Sequence, residues 1–397
     1  MNIGLITEST FPPFNRANLR LYRLAKVLVN RGDKVFFISP SNVPWHRDVA
    51  DYEGITVRQY YGFGRYLYSK IRLIVRGYHL VATILLIVKL NFKNKFDVLH
   101  GWNPLAGLAA VLSGKIIGKP VFVDFTDFYS DIALTDSTPL AAAILKKIEF
   151  FILKNSQKVI VVSEIMRQRL KALGIDEKKI FIVEDGADKE WFNPKIDGKR
   201  VREKLGLKNE EPIIIHHGDI KQADGVDILF QALKKVLAVF PRAKLLILGG
   251  KGSDYFENLK KFGRDLGVSD SIIYTGWVDR RDVPAYLAAA DIGAMPMRAT
   301  LNHQCYLSFK LFEYWASGKP VVTTRLEAIS KIVLNDINGL IVSPENADEL
   351  ADAFIYLIKN SDKSRIIGAN GRRLIEEKYD WDILMKKETK LYEGIGY

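Results

Sequence analysis

Two successive trains of short apolar runs, separated by segments of helical spacing, constrain this chain more than any other feature. In the first half "NIGLITE", "KVFFISP", "DVLHGW", "PVFVDFTD", "KVIVVSE" and "KIFIVEDG" read as strands. After the broken stretch "DKEWFNPKIDGKR" the pattern restarts with "PIIIHHG", "KLLILGG", "SIIYTGW", "DIGAMPM", "PVVTT" and "GLIVS". Strands alternating with helices imply α/β architecture: parallel sheets covered by helices on both faces. Two doubly wound, Rossmann-like domains in series are the simplest account, and 397 residues suit two domains better than one. The expected division is 1–194, 195–378 and a terminal helix over 379–397, one placement of which is back on the first domain. In such sheets ligands bind beyond the carboxyl ends of the strands, so facing domains would set a site in the cleft between them.

Charge is unevenly spread. Residues 1–195 carry 28 Lys/Arg and 18 Asp/Glu, whereas residues 196–397 carry 30 and 28. Between Glu53 and Asp97 no acid interrupts Arg58, Arg65, Lys70, Arg72, Arg76, Lys89, Lys93 and Lys95. The longest uncharged run there, Gly77 to Val88, has 12 residues, against about 20 needed to span a bilayer. Basic residues beside Leu, Ile, Tyr and Phe instead suit a helix lying in the interface of an anionic membrane, or a buried helix with solvated lysines at its ends. No nucleic-acid motif accompanies the basic charge. One cysteine excludes an internal disulfide and fits a reducing compartment. The six histidines form no Cys/His set with metal spacing, and "MNIGLITES" reads as a strand rather than a secretory signal.

The stretch "CYLSFKLFEYWASGKPVV", Cys305 to Val322, carries the chemistry. Ser308 or a neighbour is placed to cap a helix running to about Trp315. A helix amino end offers free N–H groups and a positive dipole, which suits a phosphate. Lys310 adds a full charge in the first turn. Glu313, three residues on, shares that face, and a carboxylate there accepts two hydroxyl hydrogen bonds, as a ribose diol offers. A Lys310–Glu313 surface pair on an amphipathic helix is the plainer alternative.

This stretch resembles the "S-P-x-K-L-F-E-Y-M-A-x-G-K-P-V-V" pattern of the GT-B glycosyltransferases of family 4. The resemblance runs along most of the chain, through "STFPPFNRANLRLYRLAKVLVNRGDKVFFIS", "KVIVVSEIMRQRLKALGI", "IFIVEDGADKEWFNP", "HHGDIKQADGVDILFQAL" and "IIYTGWVDRRDVPAYLAAADIGAMP". It implies a GT-B fold and metal-independent transfer of a hexose-type sugar with retention at the anomeric carbon. The donor would be a nucleotide-diphosphate sugar held by the second domain, the acceptor held by the first, with no cofactor and no metal. Glu313 would hold the ribose, Lys310 the diphosphate, and Gly218 would let the loop after "PIIIHH" pass close to the donor. Asp127, in "VDFTDFYSD", stands where relatives carry an acid facing the reacting sugar; capping of the next helix is its alternative role. His100, in "DVLHGWNP", is placed to contact the donor sugar or to serve as a hydrogen-bonded structural histidine.

Departures from the family pattern are equally specific. Its loop Arg and Lys align with Asp219 and Asp224, so Lys221 or Arg298 is left to supply the second charge. Its Gly-Gly is replaced by Asn15-Arg16, where Arg16 is placed either to reach a phosphate or to sit on the surface. Its first acid is Cys305, a poor substitute acceptor, although members with the "S-P-x-K-L-F-E-Y" variant often lack that acid. The resulting expectation is a transferase acting on a lipid-linked or membrane-borne acceptor at the cytoplasmic face of the cell membrane, without nucleic-acid partners. The alternative is a catalytically weak or inactive homologue that partners another transferase.

Overall fold

The computed structural model describes residues 1–8, 16–41, 51–61, 72–102, 104–208, 210–250 and 252–395, with side chains omitted at 16–19, 61, 72 and 73. Asn15 lies outside the described residues, as does the side chain of Arg16. The chain divides into two compact units, one of Met1–Glu184 with Asp382–Tyr397, the other of Asp185–Trp381.

The first unit is built on seven strands: β1 (Asn2–Ile6), β2 (Lys34–Ser41), β3 (Ile55–Tyr61), β4 (Val98–Trp102), β5 (Val121–Asp124), β6 (Lys158–Val161) and β7 (Ile180–Ile182). They pair in parallel in the order β3-β2-β1-β4-β5-β6-β7. Six were expected from their apolar runs; β3, "ITVRQYY", was not. Val, Ile and Leu dominate the central strands because both faces of a parallel sheet are covered. Side chains alternate between the two faces. Ile6, Phe36, Ile38, Leu99, Val121 and Val123 form one core with residues of the helices Arg72–Asn94, Leu105–Ile117 and Pro139–Asn155. The alternate residues His100, Phe122 and Asp124 meet Arg20 of helix Arg16–Asn30 and Tyr392 near the carboxyl end of the chain.

The helix expected to be too short to span a membrane is longer than its uncharged run. Ile74–Asn94 is 21 residues long and apolar enough to cross by length and composition. Its inner side nevertheless closes the sheet: Val75, Thr83 and Ile87 are buried, and Ile87 belongs to the core just described.

The second unit holds β8 (Ile213–His217), β9 (Lys244–Leu248), β10 (Ile272–Gly276), β11 (Ile292–Met295), β12 (Val321–Thr324) and β13 (Leu340–Val342), all parallel, in the order β10-β9-β8-β11-β12-β13. All six match expected strands. The unit begins at Asp185 rather than after 194 because the segment before 194 bonds to later residues. Arg372 Nη1 donates to the carbonyls of Lys189 (2.9 Å) and Phe192 (2.8 Å). The unit runs on to Trp381, whose ring packs on Phe309. In this sheet the strand order reverses between β8 and β11, the topological switch point of a doubly wound fold.

Candidate active site

In the second unit charged pairs join helix Phe309–Ala316 to the end of β8 and the loop after it, and Arg298 of the loop after β11 pairs with Asp227. Gly218 follows β8 directly with φ of 112°, a backbone region closed to residues with a side chain. After Lys221, which is exposed, a short turn over Gln222–Asp224 leads through Gly225 into helix Val226–Val239. A Cβ on Gly225 would lie 2.0 Å from the Pro296 carbonyl oxygen, so only glycine lets the two loops touch.

Helix Phe309–Ala316 is buried from Lys310 to Ala316. Lys310 Nζ donates to Asp224 Oδ1 at 2.6 Å. Burial works to raise the Asp224 carboxyl, but the Lys310 ammonium, together with the hydrogen bonds from Lys310 and the Lys221 N–H and the charge nearby, outweighs it and holds the group at about 2. Asp224 also accepts from the Lys221 N–H at 3.1 Å. The acid expected to oppose a diphosphate is thus the counter-ion of the lysine meant to bind one. Glu313, 2% exposed, meets His217 Nε2 through Oε2 at 2.6 Å and Arg280 Nη2 through Oε1 at 3.2 Å. Arg280 lies over the Trp191 ring, 5.3 Å from its centroid. Neither His217 nor Arg280 was among the residues expected here. A "HHG" doublet after a strand was the visible sign of the first; "DRRD" carried none for the second.

Ser308 occupies the position just before the helix, yet its hydroxyl makes no capping bond and is buried without a partner among the described residues. Helix capping is therefore not its role. Arg298, one of the two expected sources of a second charge, is engaged elsewhere. It forms a two-pronged pair with Asp227 (2.9 and 2.7 Å), reaches Glu345 at 3.2 Å and donates to the Gln222 carbonyl. Its own N–H bonds to the Ala223 carbonyl at 2.9 Å, so Arg298 ties down the 222–224 turn. His216 hydrogen-bonds the Ala294 carbonyl at 3.1 Å, and burial drives its pKa down to about 3, leaving it neutral. Cys305 is buried, 3% exposed, at the end of helix Leu301–Cys305.

In the first unit Asp127 is half-buried beyond the carboxyl end of β5, beside the Thr126 hydroxyl (3.4 Å). Capping of the next helix falls to Glu149 instead, which accepts from the Ser130 N–H (3.1 Å) and hydroxyl (2.6 Å). His100 takes the second of its two expected roles in this fold, that of a hydrogen-bonded histidine inside the first unit. It is fully buried, with Nδ1 bonded to the Tyr392 hydroxyl and Nε2 3.5 Å from Asp124. His100, Asp124 and Glu388 have metal-ligand proximity. Arg20 stands among them, however, pairing with Asp124 at 3.2 Å and Glu388 at 2.7 Å, so a guanidinium already supplies the cation.

The pattern of Glycosyltransferase Family 4 matches residues 17–191, and that of Glycosyl transferases group 1 matches residues 211–360. The chain belongs to the family 4, group 1 glycosyltransferases. Among its relatives is a GDP-mannose-dependent α-(1-6)-phosphatidylinositol monomannoside mannosyltransferase of Mycobacterium tuberculosis. It is 28% identical over 64% of this chain and 66% of its own length, just under two thirds of that protein. Sucrose-phosphate synthase from Thermosynechococcus elongatus superposes with a TM-score of 0.80 at 18% identity, covering 98% of both chains. HepE of Anabaena in complex with UDP gives 0.77 at 17% identity over 99% of both. The fold is therefore GT-B, with two parallel-sheet units. In this glycosyltransferase the six expected donor residues, Gly218, Lys221, Arg298, Ser308, Lys310 and Glu313, all fall in the second unit. Lys310 and Glu313 share one helix, as expected, and Arg298 supports the turn that Lys310 meets.

Proposed function

We propose that this glycosyltransferase moves a hexose from a nucleotide-diphosphate donor, with retention and without a metal, to a lipid-linked or membrane-borne acceptor at the cytoplasmic face of the membrane. The observation that carries the reading is the pairing of Lys310 and Glu313 on one buried helix at the switch point of the second sheet. A carboxylate offers about four acceptor positions. Glu313, held in place by His217 and Arg280, is the carboxylate assigned to the ribose diol. The Lys310 ammonium has three donors, of which Asp224 takes one, leaving two for a diphosphate oxygen. The helix end and the orphan Ser308 hydroxyl add neutral donors, and exposed Lys221 supplies the second charge. Fixed donors aimed at the leaving diphosphate stabilise charge that grows in the transition state. Asp127 orients the acceptor hydroxyl.

The mannoside-forming relative supports a lipid-linked acceptor and makes GDP-mannose the first donor to try, with UDP-glucose second after the HepE complexes. A second reading, a weak or inactive partner of another transferase, is favoured by Asp224 neutralising Lys310 and by the acid at Asp219. A thermal-shift panel with UDP, GDP, ADP and their sugar conjugates separates the two. A ligand at 100 times its Kd stabilises the fold by about 2.7 kcal/mol, a few degrees in Tm for domains of this size. One nucleotide shifting wild type but not Glu313→Ala supports the transferase. No shift with any of them sinks it and favours the partner reading.

A further inference from the structure

The outward side of the three helices covering one face of the first sheet is free of exposed acid. Helices Arg72–Asn94 and Leu105–Ile117 contain no Asp or Glu, and the single acid of Pro139–Asn155, Glu149, is buried beneath Ser130. Exposed cations occur on each: Arg76, Lys89 and Lys93 on the first, Lys115 on the second, Lys146, Lys147 and Lys154 on the third. Between them stand large apolar side chains that are exposed. On the first helix Ile74 (69% exposed), Tyr78, Val81, Leu85 (64%) and Phe92 (76%) repeat at spacings of four, three, four and seven residues, a single stripe along the helix. Leu140 and Ile144 continue the exposed apolar surface on the third helix, and Ile116 on the second. All three helices pack on the same core, so these residues share one side of the unit.

We infer that this three-helix face is a docking surface for an anionic bilayer, with the apolar stripe seated among the acyl chains and the lysines against lipid headgroups. The inference deepens the acceptor half of the function proposed above and rests on it. Charge decides the occupant. A face with only positive charge attracts an anionic surface. It repels a second copy of itself, because a two-fold interface would set like charges against one another. The helix lies in the interface rather than crossing it, since its inner residues Val75 and Ile87 seal the sheet.

The test is flotation of the whole protein with phosphatidylcholine vesicles, with and without about one third phosphatidylglycerol, at low and high salt. Binding is expected to the anionic vesicles alone and to fall with salt. Val81→Ser, Leu85→Ser and Phe92→Ser together abolish it. Lys146→Gln, Lys147→Gln and Lys154→Gln together weaken it by about a hundredfold, at roughly fivefold per lysine. The inference is overturned by absence of flotation, by a lysine triple that floats like wild type, or by attachment that resists alkaline carbonate. A concentration-dependent dimer lost in the serine triple would also overturn it, by assigning the face to a second copy. Nucleotide-induced thermal shift on the same preparations tells the two failures apart. If it persists without flotation, only the docking surface falls; if it too is absent, the function proposed above falls.

Discussion

Glu313 depends on a partner that local spacing could not reveal. His217 lies 96 positions away, and the 2.6 Å bond between them forms only when β8 and helix Phe309–Ala316 come together. Lys310 and Glu313 were legible because they belong to one helix and one motif. His217 and Arg280 were not, because their contacts are tertiary. His217→Phe keeps the edge-on contact with Tyr314 but withdraws a hydrogen bond from a buried carboxylate. The expected loss is about 1.5–3 kcal/mol of unfolding free energy in urea, together with weaker nucleotide binding. Glu149 gives a pH signature of its own. Burial raises its pKa to about 7 from the usual 4.5, against the pull of the Ser130 bonds. The folded state therefore holds a proton that the unfolded chain releases near pH 4.5. Its contribution is fully present below that pH and is lost as pH rises through about 7, to an extent of up to about 3 kcal/mol. Thermal melts between pH 4.5 and 7.5 should show that decline, and Glu149→Gln should flatten it.

Among elements, the twelve strands expected from apolar runs all formed, because a parallel sheet covered on both faces demands such runs. The missing one, β3, is the edge strand of its sheet, and Arg58 and Gln59 interrupt its apolar character. An edge strand is covered less, so its sequence announces itself less. The loop after β8 was legible as glycine positions but not as a clamp. Arg298 was read as a phosphate ligand because residue type alone does not say which acceptor a guanidinium meets; in the fold it meets Asp227. Two substitutions separate clamp from ligand. Gly225→Ala must move the Pro296 carbonyl or leave φ near 68°, and should lower stability by more than about 1 kcal/mol. Arg298→Ala should lower stability and soften nucleotide affinity in parallel. A lost affinity with unchanged Tm would instead mark a direct phosphate contact.

At the scale of the molecule, the buried set Arg20, Asp124, His100, Glu388 and Tyr392 holds the last residues on the first sheet. Burial pushes Glu388 up to about 7 against the pull of Arg20, whereas Arg20 and His100 outweigh burial at Asp124 and keep it low. Ending the chain at Trp381 would remove Glu388 and Tyr392 and take from Arg20 one of its two buried carboxylates, leaving Asp124. Breaking a buried pair in this way costs about 3–5 kcal/mol. Calorimetry should then show the first unit melting earlier while the second keeps its transition. The same arrangement sets an order of assembly. The second unit is one unbroken segment and can close as soon as it leaves the ribosome. The first has all seven strands synthesised before residue 185 yet waits about two hundred residues more for the carboxylate that completes its interior. During that wait Arg20 lies in an unfinished core, and slow translation of the second unit would lengthen its exposure.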